Sequence, residues 1–331
     1  VMAFKELFCL EGHEIGVTAS LGICLFPGDG TTPEELLRNA DAAMYRAKES
    51  GRDAYHFYTE ELTHNAFERV LLESSLRQGL ERDELLLEYQ PQVDLESGQI
   101  IGVEALVRWQ HPELGLVPPD RFIPLAEETG LIRRIGGWVI RTACRQGVKW
   151  LQQGLEFGRI AVNIAGPQLQ QGDLPYQVRR VLAETGFPSA HLELEVTEGF
   201  IMQQVEQAVG QLNSLRQLGV ALAIDDFGTG YSSLSYLKQL PIHKLKIDQS
   251  FVRDIPEDQD DMAIARAVIA LGQSLGLEVI AEGVETAGQA TFLQESGCPQ
   301  AQGYLYSQPV SADAVEKLLW RNEGDPVVCR W

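Results

Sequence analysis

Cysteine is scarce in this sequence and never closely spaced. The 331-residue chain contains five cysteines, an odd number, and none of the pair spacings of a zinc ribbon or a redox motif occurs among them. This pattern excludes a disulfide framework and favours a reducing compartment, so we expect a cytoplasmic protein. The five positions are Cys9, Cys24, Cys144, Cys298 and Cys329.

The sequence also has few basic residues and lacks long apolar runs. The chain has 27 Lys and Arg against 47 Asp and Glu, a formal net charge of −20. We therefore expect no nucleic-acid partner and no direct membrane contact, although bound metal ions can reverse the field locally and admit a small phosphorylated substrate. No apolar run reaches the length of a membrane span, and no signal-peptide pattern opens the chain. Because the sequence begins with Val1 and not Met, we expect a fragment of a longer parent.

The first part of the chain reads as half of a small α+β domain. Residues 17–25 have the pattern of a strand, Thr32 and Pro33 open a helix that ends at Gly51, and residues 55–58 form a short closing strand. So few elements cannot enclose a core of their own. We therefore assign residues 1–60 to a partial domain and residues 61–80 to a connector helix.

The remaining residues, 81–331, alternate strands with helices. About eight strands over roughly 260 residues predict a TIM-like (β/α)8 barrel of the α/β class. The competing doubly wound sheet would need a glycine-rich phosphate loop after its first strand, and the sequence has none. Gln90-Pro91-Gln92 and the turn at 96–98 predict one antiparallel strand in that barrel. The predicted strands end near Val93, Trp109, Asn163, Glu195, Asp226, Asp248, Glu282 and Tyr306.

Two adjacent carboxylates, Asp225 and Asp226, stand where an apolar strand meets a glycine-rich loop. The next strand delivers Lys246 and Asp248. A buried carboxylate without a partner costs several kcal/mol or becomes protonated, so a cation is expected here. Active sites of TIM barrels lie at the C-terminal ends of the strands. The polar residues expected there are Glu104, Asn163, Glu195, Asp225, Asp226, Lys246, Asp248, Glu282, Glu285 and Gln302.

Two interpretations of this set stay open. An all-oxygen donor set favours Mg²⁺ or Mn²⁺ over zinc, and adjacent aspartates suit two metals that clamp a phosphodiester during hydrolysis. Lys246 would then stabilise phosphate charge or orient water, and Glu282 would act as a base. Alternatively, each glutamate is a salt-bridged residue and Lys246 is only a counter-ion to its neighbours.

At these residues the sequence resembles the EAL family, bacterial phosphodiesterases that hydrolyse cyclic di-GMP. The stretch Glu104-Ala105-Leu106-Val107-Arg108-Trp109 is similar to the motif that names the family. The resemblance extends over residues 80–319. Further matching motifs begin at Tyr89, Glu195, Asp225, Lys246, Ala281 and Gln302.

The resemblance implies a role for each candidate residue. It implies that the metal ligands are Glu104, Asn163, Glu195, Asp225 and Asp226; that Lys246 and Glu282 activate or position water; that Gln90, Arg108 and Gln302 contact substrate; that Glu198 anchors the loop 227–233; and that Asp248 and Glu285 support the site. That loop is linked to dimerisation in the family, so a homodimer is expected. Ca²⁺ is larger and tolerates irregular coordination, so we expect it to inhibit.

The N-terminal part resembles a second family. Thr18-Ala19-Ser20-Leu21-Gly22-Ile23 and the segment 40–48 are similar to the C-terminal half of a GGDEF, or diguanylate cyclase, domain. The motif that names that family is absent, so we expect no cyclase activity from these residues. For residues 81–331 we expect hydrolysis of cyclic di-GMP to linear pGpG, and the alternative is an inactive receptor or interaction module.

Overall fold

The chain forms two compact units, Val1–Gln78 and Gly79–Trp331. The structure is a computed structural model that describes residues 8–10, 13–15, 18–49, 53–170, 172–203, 205–230 and 234–322. Within that part of the chain, no helix combines the length and the apolar character needed to cross a bilayer.

The described residues of the first unit form two small strand pairs. β1 (Phe8–Leu10) pairs antiparallel with β2 (His13–Ile15), and β3 (Leu21–Ile23) pairs parallel with β4 (Tyr55–Phe57). The connection from β3 to β4 contains helix α1 (Pro33–Glu49).

The predicted strand–helix–strand order is confirmed in this unit, with a shorter first strand than expected. Thr32 Oγ1 accepts a hydrogen bond from the Glu35 backbone N–H at 3.2 Å, as expected for the residue that caps α1. Val17 and Gly51, which the sequence assigned to the strand and to the helix end, lie outside the described residues. The connector helix α2 spans Glu60–Glu81, so it begins earlier than the predicted connector at 61–80 and ends one residue later.

In the part of the chain that the structure describes, the second unit is built on nine strands. They are β5 (Leu85–Asp94), β6 (Ile100–His111), β7 (Gly115–Val117), β8 (Arg159–Ile164), β9 (Leu192–Thr197), β10 (Ala221–Phe227), β11 (Lys244–Ile247), β12 (Glu278–Ala281) and β13 (Gln300–Gln302). The helices are α3 (Pro119–Glu128), α4 (Ile132–Gln152), α5 (Gly166–Gln170), α6 (Leu174–Thr185), α7 (Glu198–Gln203), α8 (Val205–Gln217), α9 (Leu234–Leu237), α10 (Gln259–Leu275), α11 (Ala287–Glu295) and α12 (Ala312–Asn322).

Eight of the nine strands close into a barrel. The order is β5-β13-β12-β11-β10-β9-β8-β6, and β5 pairs with β6 to complete the ring while β7 lies outside against β6. Strand β5 runs antiparallel to both of its neighbours, and the other pairs in the ring are parallel. The predicted TIM-like barrel with one antiparallel strand is confirmed.

Two details of the predicted strands are wrong. The last strand ends at Gln302 and not near Tyr306. Tyr306 lies in a turn, where its backbone N–H donates to Gly303 O. Glu104 lies inside β6 and not at its end, because β6 continues past the barrel rim to pair with β7.

Because side chains alternate between the two faces of each strand, charged side chains face the barrel interior. In β11, Leu245 and Ile247 are fully buried, and the alternate residues Lys244 and Lys246 contact carboxylates of β9 at 2.8 and 2.6 Å. Successive side chains of a strand point to opposite faces, so the apolar residues face the helices and the charged ones face the barrel axis. Opposite charges from neighbouring strands therefore meet in stacked layers inside the ring.

Candidate active site

Lys246 is the centre of the candidate site. Its side chain is 1% exposed, and its Nζ lies 2.6 Å from Glu195 Oε2, 2.6 Å from Glu282 Oε1 and 3.1 Å from Asp225 Oδ1. Glu104 Oε2 is a fourth neighbour at 3.6 Å. Carboxylates thus reach one ammonium group from strands β6, β9 and β10 and from the residue after β12.

The charges around Lys246 do not balance. Five carboxylates surround one ammonium group when Asp226, the neighbour of Asp225, is included. Burial disfavours the Lys246 ammonium, but the carboxylates outweigh it and raise the pKa of Lys246. For Glu282, burial disfavours the ionised carboxylate and raises the pKa to about 8, although Lys246 opposes this shift. The site therefore has room, electrostatically, for further positive charge.

Asp225 and Asp226 point into the same site although they are consecutive strand residues. The pairing of β10 with β11 gains one residue between Ile224 and Phe227, and Asp226 has a φ of 53°. Such a bulge changes the alternation locally, so both carboxylates face inward. Asp225, Asp226 and Glu282 each offer an oxygen within 4.8 Å of the others. Burial and the neighbouring Asp225 raise the pKa of Asp226 to about 6.

Glu195 contributes an oxygen that accepts no hydrogen bond from the described part of the chain. Its Oε2 faces Lys246, while its Oε1 is buried and has no hydrogen-bond partner among the described residues. A buried carboxylate oxygen without a partner is costly, and burial raises the pKa of Glu195 well above its usual value. A divalent cation would satisfy that oxygen.

Amide side chains hold Glu104 from two sides. Asn163 Nδ2 donates to Glu104 Oε1 at 2.5 Å, and Gln302 Nε2 donates to Glu104 Oε2 at 2.5 Å. Gln302 Nε2 also donates to Gln90 Oε1 at 2.9 Å. Gln90 in turn donates to the Ser307 carbonyl. The predicted metal ligand Glu104 and the predicted substrate contacts Gln90 and Gln302 therefore form one hydrogen-bonded group.

Glu198 holds the start of the loop that follows β10. Its carboxylate is buried, and Oε2 accepts a hydrogen bond from the Gly228 backbone N–H at 2.9 Å. The contact lies where the sequence expects a loop anchor. The later residues of that loop, 231–233, lie outside the described residues.

The other predicted residues lie around this centre. Asp248 caps the short 3₁₀ turn Gln249–Phe251 by accepting the Ser250 N–H, and its negative charge adds to burial and Asp225 in raising the pKa of Asp226. Arg108 Nε is paired with Glu88 at 2.8 Å. Glu285 is not among the carboxylates around Lys246, and it lines an adjoining cavity instead.

That cavity has a volume of about 310 Å³ and opens beside Glu104 and Glu282. It is lined by all three predicted substrate contacts. Two further lining residues, Gln249 and the 58%-exposed Tyr304, were given no role by the sequence reasoning. Tyr304 directly follows Gln302-Gly303. Its position just beyond a strand end is the sequence feature that could have indicated a place in the site.

Comparison with known proteins agrees with this geometry. Residues 73–309 match the EAL domain family. This chain belongs to that family. Residues 1–54 match the diguanylate cyclase, GGDEF domain, so the N-terminal part of this EAL protein is a GGDEF fragment.

Proteins named as cyclic di-GMP phosphodiesterases are similar to this EAL chain. The Pseudomonas aeruginosa "Bifunctional diguanylate cyclase/cyclic di-GMP phosphodiesterase MucR" is 47% identical over 95% of the chain and 46% of its own length. The "Cyclic di-GMP phosphodiesterase NbdA" of the same organism is 47% identical over 95% of the chain and 40% of its own length. The chain thus spans less than half the length of these relatives.

Solved structures show the same fold. The structure described as "PaMucR Phosphodiesterase, c-di-GMP complex" superposes with a TM-score of 0.72 at 46% identity, covering 74% of this chain and 99% of that one. The "FimX EAL domain from Pseudomonas aeruginosa bound to c-di-GMP" gives a TM-score of 0.66 at 26% identity, covering 72% of this chain and 96% of that one.

The raised pKa of Glu282 predicts a pH-dependent stability of the metal-free protein. A carboxyl group that ionises near pH 8 when folded and near pH 4.5 when unfolded stabilises the fold below pH 4.5, and this contribution is lost as the pH rises to about 8. Between about pH 6.5 and 8 the free energy of unfolding should fall by up to about 1.4 kcal/mol per pH unit from this group. Urea unfolding in EDTA at a series of pH values measures this change in the free energy of unfolding.

The matched variant is Glu282→Gln, which keeps the shape of the side chain and does not titrate. Its free energy of unfolding should vary less with pH over that interval than that of the parent. Equal pH slopes for the two proteins would contradict the assignment.

Proposed function

We propose that the EAL domain of this chain hydrolyses cyclic di-GMP to linear pGpG with Mg²⁺ or Mn²⁺. The observation that carries the proposal is the buried Lys246 among an excess of carboxylates, next to an open cavity. The similarity to proteins named as cyclic di-GMP phosphodiesterases supports the same substrate.

The donor set fits divalent cations that prefer oxygen ligands. The unpartnered Oε1 of Glu195 and the converging oxygens of Asp225, Asp226 and Glu282 are the observations that support this fit. The residues that would hold the ions are Glu104, Asn163, Glu195, Asp225 and Asp226. When bound, such ions lower the pKa of water and neutralise charge on a phosphodiester.

The reaction adds water across one phosphodiester bond of the ring. The water oxygen forms a bond to phosphorus, the bond from phosphorus to the 3′-oxygen breaks, and the 3′-oxygen takes up a proton, which leaves pGpG. In this proposal Lys246 donates to the oxygens that gain charge, and the Glu282 carboxylate, 2.6 Å from Lys246, orients the water and accepts its proton.

The cavity beside these residues suits a guanine nucleotide. Gln90 and Gln302 are among the polar residues that line it, and the exposed Tyr304 ring offers an aromatic surface. Arg108 brings a cation to a largely acidic site, where it can face a phosphate once Glu88 is displaced or shared.

The main test is turnover of cyclic di-GMP in Mg²⁺, followed by mass spectrometry. Glu104→Ala and Lys246→Ala should each lower kcat by about 100-fold or more, because they remove an electrostatic contact to the reacting groups. Binding without pGpG formation by the parent protein would favour the receptor alternative, although the full carboxylate set argues against it.

Matched controls separate chemistry from general loss of charge. Glu113→Ala and Lys238→Ala make the same changes at exposed positions that have no assigned role and should leave turnover unchanged. Circular dichroism establishes that each variant is folded. Parent-like turnover in folded Glu104→Ala and Lys246→Ala proteins would refute the assigned roles.

Calcium should occupy the site and inhibit. Ca²⁺ takes longer bonds and irregular coordination, so it would hold the reacting oxygens poorly. Added Ca²⁺ should reduce turnover in Mg²⁺ while thermal unfolding still shows that it stabilises the protein. Full activity in excess Ca²⁺ would contradict a tightly spaced metal pair.

The homodimer and the cytoplasmic location expected from the sequence stay predictions. For the dimer we propose that the loop beginning at Phe227 takes part, since Glu198 ties its first residues to the site. Light scattering of the parent protein should give twice the mass of one chain. A monomer at all concentrations that support activity would contradict it.

A further inference from the structure

A second polar layer lies inside the barrel, away from the cavity. Lys244 Nζ is 2.8 Å from Glu193 Oε1, and Arg159 Nη1 is 3.4 Å from Glu193 Oε2. Gln92 joins this layer through its Oε1, which lies 3.5 Å from Lys244 Nζ. Gln92, Glu193 and Lys244 are each no more than 3% exposed, whereas the Arg159 side chain is 34% exposed.

Gln92 links this layer to the candidate active site. Its Nε2 donates to Gln302 Oε1 at 3.0 Å, and Gln302 Nε2 donates to Glu104 Oε2 at 2.5 Å. A continuous chain of hydrogen bonds therefore runs from Lys244 through two amides to the carboxylate of Glu104.

The donors and acceptors in this chain determine how each amide is turned. Lys244 can only donate, so Gln92 must turn its oxygen toward Lys244 and its NH₂ toward Gln302. Gln302 must then turn its oxygen toward Gln92 and its NH₂ toward Glu104, which only accepts when ionised. A reversed Gln302 would place its oxygen against Glu104 Oε2 and Gln90 Oε1, an arrangement that leaves buried acceptors unpaired.

The backbone opposite Gln92 leaves the space that this side chain requires. Gly102 pairs with Gln92 across β5 and β6, and a Cβ atom at position 102 would lie 2.8 Å from Gln92 Oε1. A side chain at position 102 would therefore displace the Gln92 amide from Lys244.

We propose that Gln92 is a positioning residue: held by Lys244, it turns the Gln302 amide so that its NH₂ group holds Glu104 in place for metal binding. The inference rests on the proposed function for its metal, but the amide orientation itself belongs to the metal-free protein. Gln92 touches neither the cavity nor the reacting groups, and it acts through Gln302.

The deciding variant is Gln92→Glu, which keeps the shape and removes the donor. The introduced carboxylate would gain an ion pair with Lys244, so the fold should remain stable, but Gln302 would have to turn its NH₂ group away from Glu104. Residues that orient metal ligands typically contribute about 10- to 100-fold to metal affinity or activity, so we expect Mn²⁺ to bind more weakly by a factor in that range. Calorimetric titration of Mn²⁺ measures this, and kcat should fall more than KM changes.

A second measurement needs no metal. The side-chain NH₂ resonances of Gln302 in the metal-free protein, identified by their loss in Gln302→Leu, should shift in Gln92→Glu because their acceptor changes. Unshifted resonances would overturn the inference, whatever the outcome for hydrolysis. A parent protein that neither binds Mn²⁺ nor hydrolyses cyclic di-GMP would instead refute the proposed function.

Two control variants complete the test. Gln110→Glu makes the same change at an exposed position of β6 and should leave Mn²⁺ affinity unchanged. Gln92→Met removes the donor without adding an acceptor, so it should weaken Mn²⁺ binding by less than Gln92→Glu does. If Gln92→Glu fails to fold, unchanged Mn²⁺ affinity in folded Gln92→Met overturns the inference, and weaker binding supports it.

Discussion

The burial of one ammonium group among carboxylates is the constraint on which the rest of this site depends. Lys246 contacts Glu195 and Glu282 at 2.6 Å inside a closed ring of strands. Without Lys246, the carboxylates would repel one another and take up protons. With Lys246 alone, they retain an excess of negative charge, and this excess makes the site suitable for divalent cations.

The barrel makes this arrangement possible because it brings distant segments to one axis. Glu104 and Gln302 are 198 positions apart in the sequence, yet their side chains share a hydrogen bond. Antiparallel β5 contributes to the same layers, since Gln90 and Gln92 face inward from a strand that runs opposite to its neighbours. The second polar layer, around Lys244 and Glu193, lies in the same barrel interior, and it orients the amides of Gln92 and Gln302.

Much of the fold could be predicted from the order of strands and helices. The eightfold alternation and the antiparallel first strand followed from periodicity and turn residues. The end of β13 and the place of Glu104 within β6 did not, because strand length here depends on pairing partners. Gln302 is the last residue of β13 that pairs with β5, and β6 continues because β7 is available.

What the sequence by itself determined was which residues carry charge at the ends of apolar strands, and hence the kind of chemistry and cation to expect. The tertiary structure alone decided how these groups are arranged. A bulge between Ile224 and Phe227 turns two consecutive aspartates inward, against the usual alternation. Gln92, with no motif role, became significant only because barrel closure places it between Lys244 and Gln302. Hydrogen-bond partners of this kind depend on contacts between distant segments, and local sequence patterns do not encode them.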